Sequence, residues 1–507
     1  YLIVLPLLLT IGLVMDHFNS DTICALATPP GQGAIAVIRL SGEKALDIGN
    51  EVFRLKKKSG KLQDFNGYTI HFGTIVRDGE IIDEVLVSLF RKPNSYTGED
   101  LLEISCHGSV YIQQKITELL IEKGARHAEP GEFTLRAFMN GKFDLSQAEA
   151  VADLIASSSK RSHDLAMDQM RGGFSGKIRD LRKKLVDFAS LIELELDFSE
   201  EDVEFANREQ LVNLLEEMKR EIGELVSSFS IGNVLKKGIP VAIIGEPNVG
   251  KSTLLNAILN EERAIVSEIP GTTRDTIEDT IILNNYIFRF IDTAGLRHSS
   301  DQVETIGIGR TYEKIRQAKI VLYVLDVSEV DCKDVKMKLE EIGSRQSAVG
   351  SRQSANFEPP EHEDNNAQEL RSSKAQKSEK KFILVANKMD QLMQAPKHLK
   401  EFLEMECLFV SAKRKENINL ITESLVDAVK ELDISDTTLV SNIRHYEALA
   451  KSKEAVESVI KGLEDNIPSD LLTVDIRTAL HHLGEITGEI TTDEILGNIF
   501  SKFCIGK

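Results

Sequence analysis

The spacing of apolar residues along this chain changes twice, and each change marks a different architecture. From Asp21 to about Gly141 the apolar residues come in short runs. Two runs flank the loop Pro29-Pro30-Gly31-Gln32-Gly33, and strand-like stretches follow at Tyr68–Val76, Glu84–Phe90 and Leu101–Gly108. Val110–Glu122 has the spacing of an amphipathic helix. Together they predict a compact α+β domain. From Leu145 to about Val234 the period lengthens to that of helices: Ala148, Val151, Ala152, Leu154 and Ile155 share one face, and acidic clusters such as Glu200-Glu201-Asp202 fall between segments. The helical period returns at Ile443–Leu463 and Leu471–Leu483. Between the two helical stretches lie strand-like runs at Val241–Ile244, Tyr286–Ile291, Ile320–Asp326, Phe382–Ala386 and Cys407–Val410. The pattern predicts an α/β domain inserted into a helical one, whose two halves pack together and hold the insertion by both ends. Gly343–Ala348 and Gly350–Ala355 repeat G-S-R-Q-S-A, and the polar stretch to about Lys380 reads as a disordered surface insertion without chemistry.

Composition changes this picture in a few places. The 507 residues allow about three domains. A net charge of −19 means that any RNA must be met by a local basic patch or a second protein. The five cysteines (Cys24, Cys106, Cys332, Cys407, Cys504) show no C-x-x-C or metal-ligand spacing, which fits a reducing, cytoplasmic setting and argues against a disulfide framework or a zinc site. Tyr1 to Val14 are almost wholly apolar, yet too few to span a bilayer and without the basic flank of a signal peptide. We expect residues 1–20 to be an over-extended gene start, the protein beginning near Met15 without stable membrane association. A membrane tether is the alternative.

The candidate chemistry centres on Gly245-Glu246-Pro247-Asn248-Val249-Gly250-Lys251-Ser252, which lies between a strand-like run and the helix-spaced Thr253–Leu259. This G-x-x-x-x-G-K-S turns backbone N–H groups toward phosphate, with Lys251 placed for the outer phosphates and Ser252 for Mg²⁺. Downstream, Asp292-Thr293-Ala294-Gly295 offers a carboxylate for Mg²⁺ and a glycine N–H for a γ-phosphate. Asn387-Lys388-Met389-Asp390 can select guanine, because the Asp carboxylate accepts from N1–H and the exocyclic amine, which adenine does not present. Ser411-Ala412-Lys413 reads as the companion base loop. Order and spacing predict a P-loop GTPase domain. Pro270–Asp275 is the natural switch I, with Thr273 the hydroxyl for Mg²⁺. Leu296 stands where Ras-type enzymes carry a water-orienting glutamine. Another group must align the water; Glu304 is the candidate, and a plain solvated carboxylate is the alternative. Arg39 and Glu103 interrupt apolar strands, and pattern alone leaves open whether each points outward. His107 reads as structural.

The chain resembles the MnmE (TrmE) family of tRNA-modification GTPases. The residues that carry the resemblance are Ala27-Thr28-Pro29-Pro30-Gly31, Asn94–Asp100, Pro130-Gly131-Glu132-Phe133, Gly271–Asp275, Asp292–Arg297 and Phe503-Cys504-Ile505-Gly506-Lys507. It runs from about Asp21 onward, the repeat insertion excepted; Gln32 departs from the arginine more usual in the family. The fold implied is multidomain: an α+β folate-binding and dimerisation domain at 21–141, an α-helical bundle in two parts at 142–236 and 433–507, and an inserted α/β Ras-like P-loop GTPase at 237–432. The resemblance implies a homodimer working with an FAD-dependent MnmG-type flavoprotein on the wobble uridine of certain tRNAs. It implies a 5-formyltetrahydrofolate-type cofactor at Arg39, Glu103, Lys142 and Lys507, with Cys504 a candidate redox or catalytic thiol. The implied GTP-binding set is Asn248, Val249, Gly250, Lys251, Ser252, Thr253, Ser267, Thr272, Thr273, Asp292, Thr293, Ala294, Gly295, Asn387, Lys388, Asp390, Ser411, Ala412 and Lys413. Mg²⁺ falls to Ser252 and Thr273. A hydrolysis-stimulating K⁺ falls to Asn248, Ser267, Ile269 and Thr272, and the catalytic carboxylate to Glu304. The competing reading, a ribosome-assembly GTPase, needs an RNA-binding module such as a KH domain, and no convincing one is evident.

Overall fold

The computed structural model describes residues 21–56, 60–197, 208–260, 265–266, 279–291, 314–328, 335–337, 380–392, 399–430, 438–465 and 467–507. Tyr1–Val14 and the repeat-bearing stretch up to residue 379 lie outside them. The chain gathers into two compact units. Unit one comprises the residues up to Ile155, Ala166–Ser227 and Ile443–Lys507; unit two comprises Ala156–Leu165 and Ser228–Asn442.

Unit one opens with β1 (Ile23–Leu26), β2 (Ile35–Ser41), α1 (Ala45–Val52), β3 (Phe53–Leu55), β4 (Thr69–Arg77), β5 (Glu80–Phe90), β6 (Leu101–His107), α2 (Val110–Glu122), β7 (Arg126–His127) and α3 (Glu132–Met139). Among the described residues the strands form one sheet in the order β3-β4-β5-β6-β2-β1-β7, antiparallel except for the short β1–β7 pair. β5 begins at Glu80 rather than at Glu84. Asp78 and Gly79 both have positive φ (50° and 89°), the conformation of a two-residue hairpin turn, so β4 runs almost directly into β5. Along β5, Asp83, Val85, Val87 and Leu89 are buried while Glu84 and Leu86 are exposed. Val85, Val87 and Leu89 meet Leu46, Ile48 and Val52 of α1 and Ile116, Leu119 and Leu120 of α2 in one apolar core. Each such side chain contributes roughly 1.5–3 kcal/mol by leaving water.

The helical part of unit one contains α4 (Leu145–Ala156), α6 (Gly173–Asp197), α11 (Ile443–Glu464), α12 (Ser469–Thr487) and α13 (Asp493–Phe500); α5 (Lys160–Met170) and α7 (Arg208–Lys237) each contribute residues to both units. α12 buries Leu472, Ile476, Ala479, Leu483 and Ile486 at helical spacing and packs against α11 and α6. It starts after Pro468 and stops at Gly488, whose φ of 85° closes the helix in the left-handed region. The expected packing of the early helices with those after the insertion is present.

Unit two contains β8 (Ile239–Gly245), α8 (Lys251–Leu259), β9 (Ile265–Val266), β10 (Asp279–Leu283), β11 (Tyr286–Phe290), β12 (Ile320–Asp326), β13 (Lys381–Asn387), α9 (Leu399–Glu404), β14 (Leu408–Phe409) and α10 (Ile418–Lys430). Its described strands run in the order β14-β13-β12-β8-β11-β10-β9, parallel from β14 to β11. All seven residues of β12 are buried. Leu322 and Val324 join a core with α8 and α10, while Val321, Tyr323 and Leu325 pack on the opposite side with Ile315 and Phe402. A sheet covered on both faces leaves polar chemistry to the loops at its carboxyl edge.

Candidate functional site

At that edge, β8 ends in the glycine loop and α8 begins at Lys251. Gly250 caps the helix with a φ of 92°, and a Cβ there would lie 2.4 Å from Asn387 Nδ2. No other residue fits without moving Asn387. The first turn of α8 therefore presents its N–H groups at Lys251, Ser252 and Thr253 without a side chain in front of them. Lys251 Nζ reaches back to the carbonyls of Gly245 (3.2 Å) and Glu246 (2.7 Å). Asn248 is exposed with a φ of 63°.

Asn387 joins three loops. Its Nδ2 donates to the Val249 carbonyl (2.8 Å), and its Oδ1 accepts from the Ala412 N–H (2.9 Å). It is buried, so it acts as a brace between phosphate loop and base loops. Ser411 Oγ donates to Asp390 Oδ1 (2.7 Å); that bond, aided by the nearby Arg414 and Lys413 charges, holds the Asp390 carboxyl below its ordinary range. An ionised Asp390 beside Ser411 can accept the two N–H donors of a guanine edge. Lys388, with a φ of 67°, places Nζ 2.7 Å from Asp326 Oδ2. Burial opposes a charge on Asp326, but hydrogen bonds from Lys388 and Ser328 outweigh it and lower its pKa. Asp326 carried no motif. Its signal was an acidic residue closing a wholly apolar strand.

Ser267, Ile269, Thr272, Thr273, Asp292, Thr293, Ala294, Gly295 and Glu304 lie outside the described residues.

In unit one, β2 and β6 pair so that Arg39 stands directly opposite Glu103. Arg39 Nε donates to Glu103 Oε1 at 2.8 Å, the two side chains 15% and 26% exposed. The charges thus share one face and neutralise one another. Arg39 Nη1 also donates to the Gly506 carbonyl (3.3 Å), and its guanidinium lies 5.1 Å above the Tyr96 ring. Gly506 has a φ of 90°, and a Cβ there would stand 2.2 Å from the Leu26 carbonyl oxygen, so only glycine brings this segment onto β1. Half-buried Lys507 follows. Burial first, then the Arg39 charge, pushes its ammonium below the usual lysine range, with Glu103 acting the other way. Arg39, Glu103 and Lys507 are therefore brought together, with exposed Cys504 three residues from Lys507. Lys142 instead donates to the Pro93 carbonyl (3.1 Å); its neighbour Phe143 meets the Tyr96 ring edge-on at 5.9 Å. Tyr96 was legible only as one letter of a motif. His107 donates through Nδ1 to Asp83 Oδ1 (2.7 Å) and keeps a largely exposed ring.

A buried ion cluster braces the helices. Glu149 receives Arg444 Nε (3.0 Å) and Nη2 (2.9 Å) and lies 2.7 Å from His445 Nε2. Burial alone would raise its pKa, but the His445 and Arg444 pairings prevail and lower it to about 2.

A mostly parallel sheet with a glycine-capped phosphate loop, braced to an N-K-x-D loop and its companion, defines a P-loop protein of the GTPase class. Two family models cover the chain: "GTP-binding protein TrmE N-terminus" over residues 22–142 and "MnmE helical domain" over residues 145–504. The protein named tRNA modification GTPase MnmE in Flavobacterium johnsoniae is 51% identical over 495 residues, covering 96% of this chain and 100% of that one. The proteins of the same name in Cytophaga hutchinsonii and Bacteroides thetaiotaomicron are 49% and 48% identical, each over 96% of this chain and 98% and 100% of their own. The chain belongs to the MnmE (TrmE) family. Among solved structures, the G domain of the T. maritima FeoB iron transporter overlaps 38% of this chain and 98% of its own at 23% identity; the TM-score of 0.23 is too low to bear on the fold. Among the described residues, no helix is long and apolar enough to cross a membrane.

Proposed function

We propose that this chain is a GTP-hydrolysing tRNA-modification enzyme. With an FAD-dependent flavoprotein of the MnmG type, it adds an aminomethyl or carboxymethylaminomethyl group to C5 of the wobble uridine of certain tRNAs. The observation that carries this reading is the Arg39–Glu103 pair, capped by the Gly506 carbonyl, on a chain that also holds guanine-selecting loops. A GTPase acting only as a switch has no evident use for such a charged pair beside Lys507. A reduced folate, with its ring donors and glutamate tail, matches it, and the names of relatives about half identical to the chain point to tRNA.

In this reading residues 21–141 bind the folate and dimerise, 142–236 with 433–507 form the helical domain, and 237–432 hydrolyse GTP. The protein works in the cytoplasm. Lys251 and the α8 N–H groups hold the phosphates while Asp390 and Ser411 select the base. Ser252 and Thr273 hold Mg²⁺; Asn248, Ser267, Ile269 and Thr272 hold K⁺. Bound there, the two cations neutralise charge that builds up on the transferring phosphoryl group. Glu304 aligns the water, and Cys504 is available beside the folate.

The test is nucleoside mass spectrometry of total tRNA from cells with and without the gene. Loss of 5-aminomethyl-type wobble uridines, restored by wild type and not by Lys251→Ala, is expected; unchanged uridines overturn the proposal. Glu304→Ala should bind GTP and fail to hydrolyse it, and normal turnover in that variant would remove Glu304 from the mechanism.

A further inference from the structure

On α12, far along the sequence from the nucleotide loops, His481, His482 and Glu485 form the one cluster of three such ligands among the described residues. His481 Nε2 lies 3.4 Å from Glu485 Oε1, and His482 Nδ1 lies 2.9 Å from Glu485 Oε2. The spacing explains the geometry. Glu485 is four residues beyond His481 and three beyond His482, so it sits one helical turn on, between the two rings. The rings stand edge to face, 5.4 Å between centroids. All three ligand atoms fall within 4.8 Å of one another.

The helix under them is held from the other side. Arg444, anchored on buried Glu149, donates Nη1 to the Glu485 carbonyl (2.5 Å) and Nη2 to that of Ile486 (3.2 Å). The carboxylate ligand therefore rises from a fixed turn, while His481 remains 51% exposed and His482 and Glu485 are 17% and 26% exposed. Solvent and ions can reach the cluster.

We propose that His481, His482 and Glu485, a set without cysteine and so outside the cysteine spacing that argued against a zinc site, form a binding site for a first-row divalent transition ion of the Zn²⁺ class. Two imidazole nitrogens and one carboxylate oxygen suit that class and are a poor set for Mg²⁺, which favours oxygen donors and waters. Bonds of about 2.0–2.1 Å to a tetrahedral ion set its donor atoms about 3.3 Å apart, close to the 3.4 Å and 2.9 Å that the two imidazoles already keep from the carboxylate, and rotation of exposed His481 supplies the remaining adjustment. Three protein ligands leave a coordination position for water or for a group of a partner. The ion ties two successive turns of α12 together and stabilises the folded helix by mass action.

The test uses the full chain, stripped with chelator and kept in excess Mg²⁺, titrated with Zn²⁺ alone by calorimetry and followed by thermal unfolding. His481→Ala, Glu485→Gln and Cys504→Ser are measured beside it. One Zn²⁺ per chain is expected, weakened at least tenfold in both α12 variants and unchanged in Cys504→Ser. The Zn²⁺-dependent rise in Tm should vanish with the binding. GTP hydrolysis without Zn²⁺ should be the same in wild type and His481→Ala, whose exposed ring leaves no cavity when truncated. Absence of Zn²⁺ binding overturns the proposal. So does binding that survives both α12 substitutions, or that disappears with Cys504.

Discussion

The central strand of unit two and the sheet of unit one place their charges in opposite ways. In unit two, β12 is buried throughout and carries no charge before its last residue, and Asp326, Asn387 and Asp390 appear only where strands give way to loops. In unit one, strands alternate, and Arg39 and Glu103 sit in the middle of β2 and β6 as part of the ladder itself. A strand buried along its whole length, as β12 is, cannot keep a charge in its middle without a large desolvation cost. One with a half-open face can, provided that the charge has a partner. The consequence is mechanical: unit two can lose a loop side chain without losing its scaffold, whereas in unit one the charged pair is part of the ladder that supports the sheet.

That contrast can be broken experimentally. The largest effect belongs to Glu149→Ala, which leaves the buried His445 ring and the half-buried Arg444 guanidinium without their shared carboxylate. It should cost about 3–5 kcal/mol of stability in chemical denaturation. In the wild type, the lowered pKa of Glu149 means that its contribution is fully present above pH 4.5 and is lost as pH falls towards about 2, which acid unfolding of wild type against Glu149→Gln reads directly. A flat difference across that range would remove the cluster from the account. Next comes Asp390→Asn. It trades an acceptor for a donor, so GTP affinity should fall by about a hundredfold, near 2.7 kcal/mol, with xanthosine triphosphate gaining in its place. Tm should barely move, because Asp390 lies on a loop. A Tm loss as large as that of Glu149→Ala would erase the distinction between the two sheets. The smallest effect is that of Arg39→Ala: folate affinity should drop about tenfold in equilibrium binding, with a measurable loss of Tm because Glu103 and the Gly506 carbonyl lose their donor.

The same contrast decides what could be read from the sequence. Loops of unit two are contiguous, so G-x-x-x-x-G-K-S and N-K-x-D announce both their position and their chemistry. α2 was legible end to end, because an amphipathic period needs only local residues. Arg39 and Glu103 are 64 positions apart, and their partnership depends on a strand register that no local pattern contains. Glu149 and Arg444, 295 positions apart, are further still from view. Asp78-Gly79 was a missed local signal: an Asp-Gly pair between alternating runs marks the hairpin that extends β5. The brace made by Asn387 was half legible. Its motif named the residue, but its bond to Val249 exists only because β13 and β8 bring their carboxyl ends to the same edge.

Arg39 and the Gly506 carbonyl that it holds are 467 positions apart, and this distance has a cost in time. At roughly 5–20 residues per second of synthesis, the strand bearing Arg39 leaves the ribosome some 25 to 90 seconds before its partner exists. Through that interval the growing chain carries a sheet whose cross-strand charges lack their cap, while the whole of unit two is made. Over that interval Glu103, 64 positions away, is the partner of Arg39 that already exists.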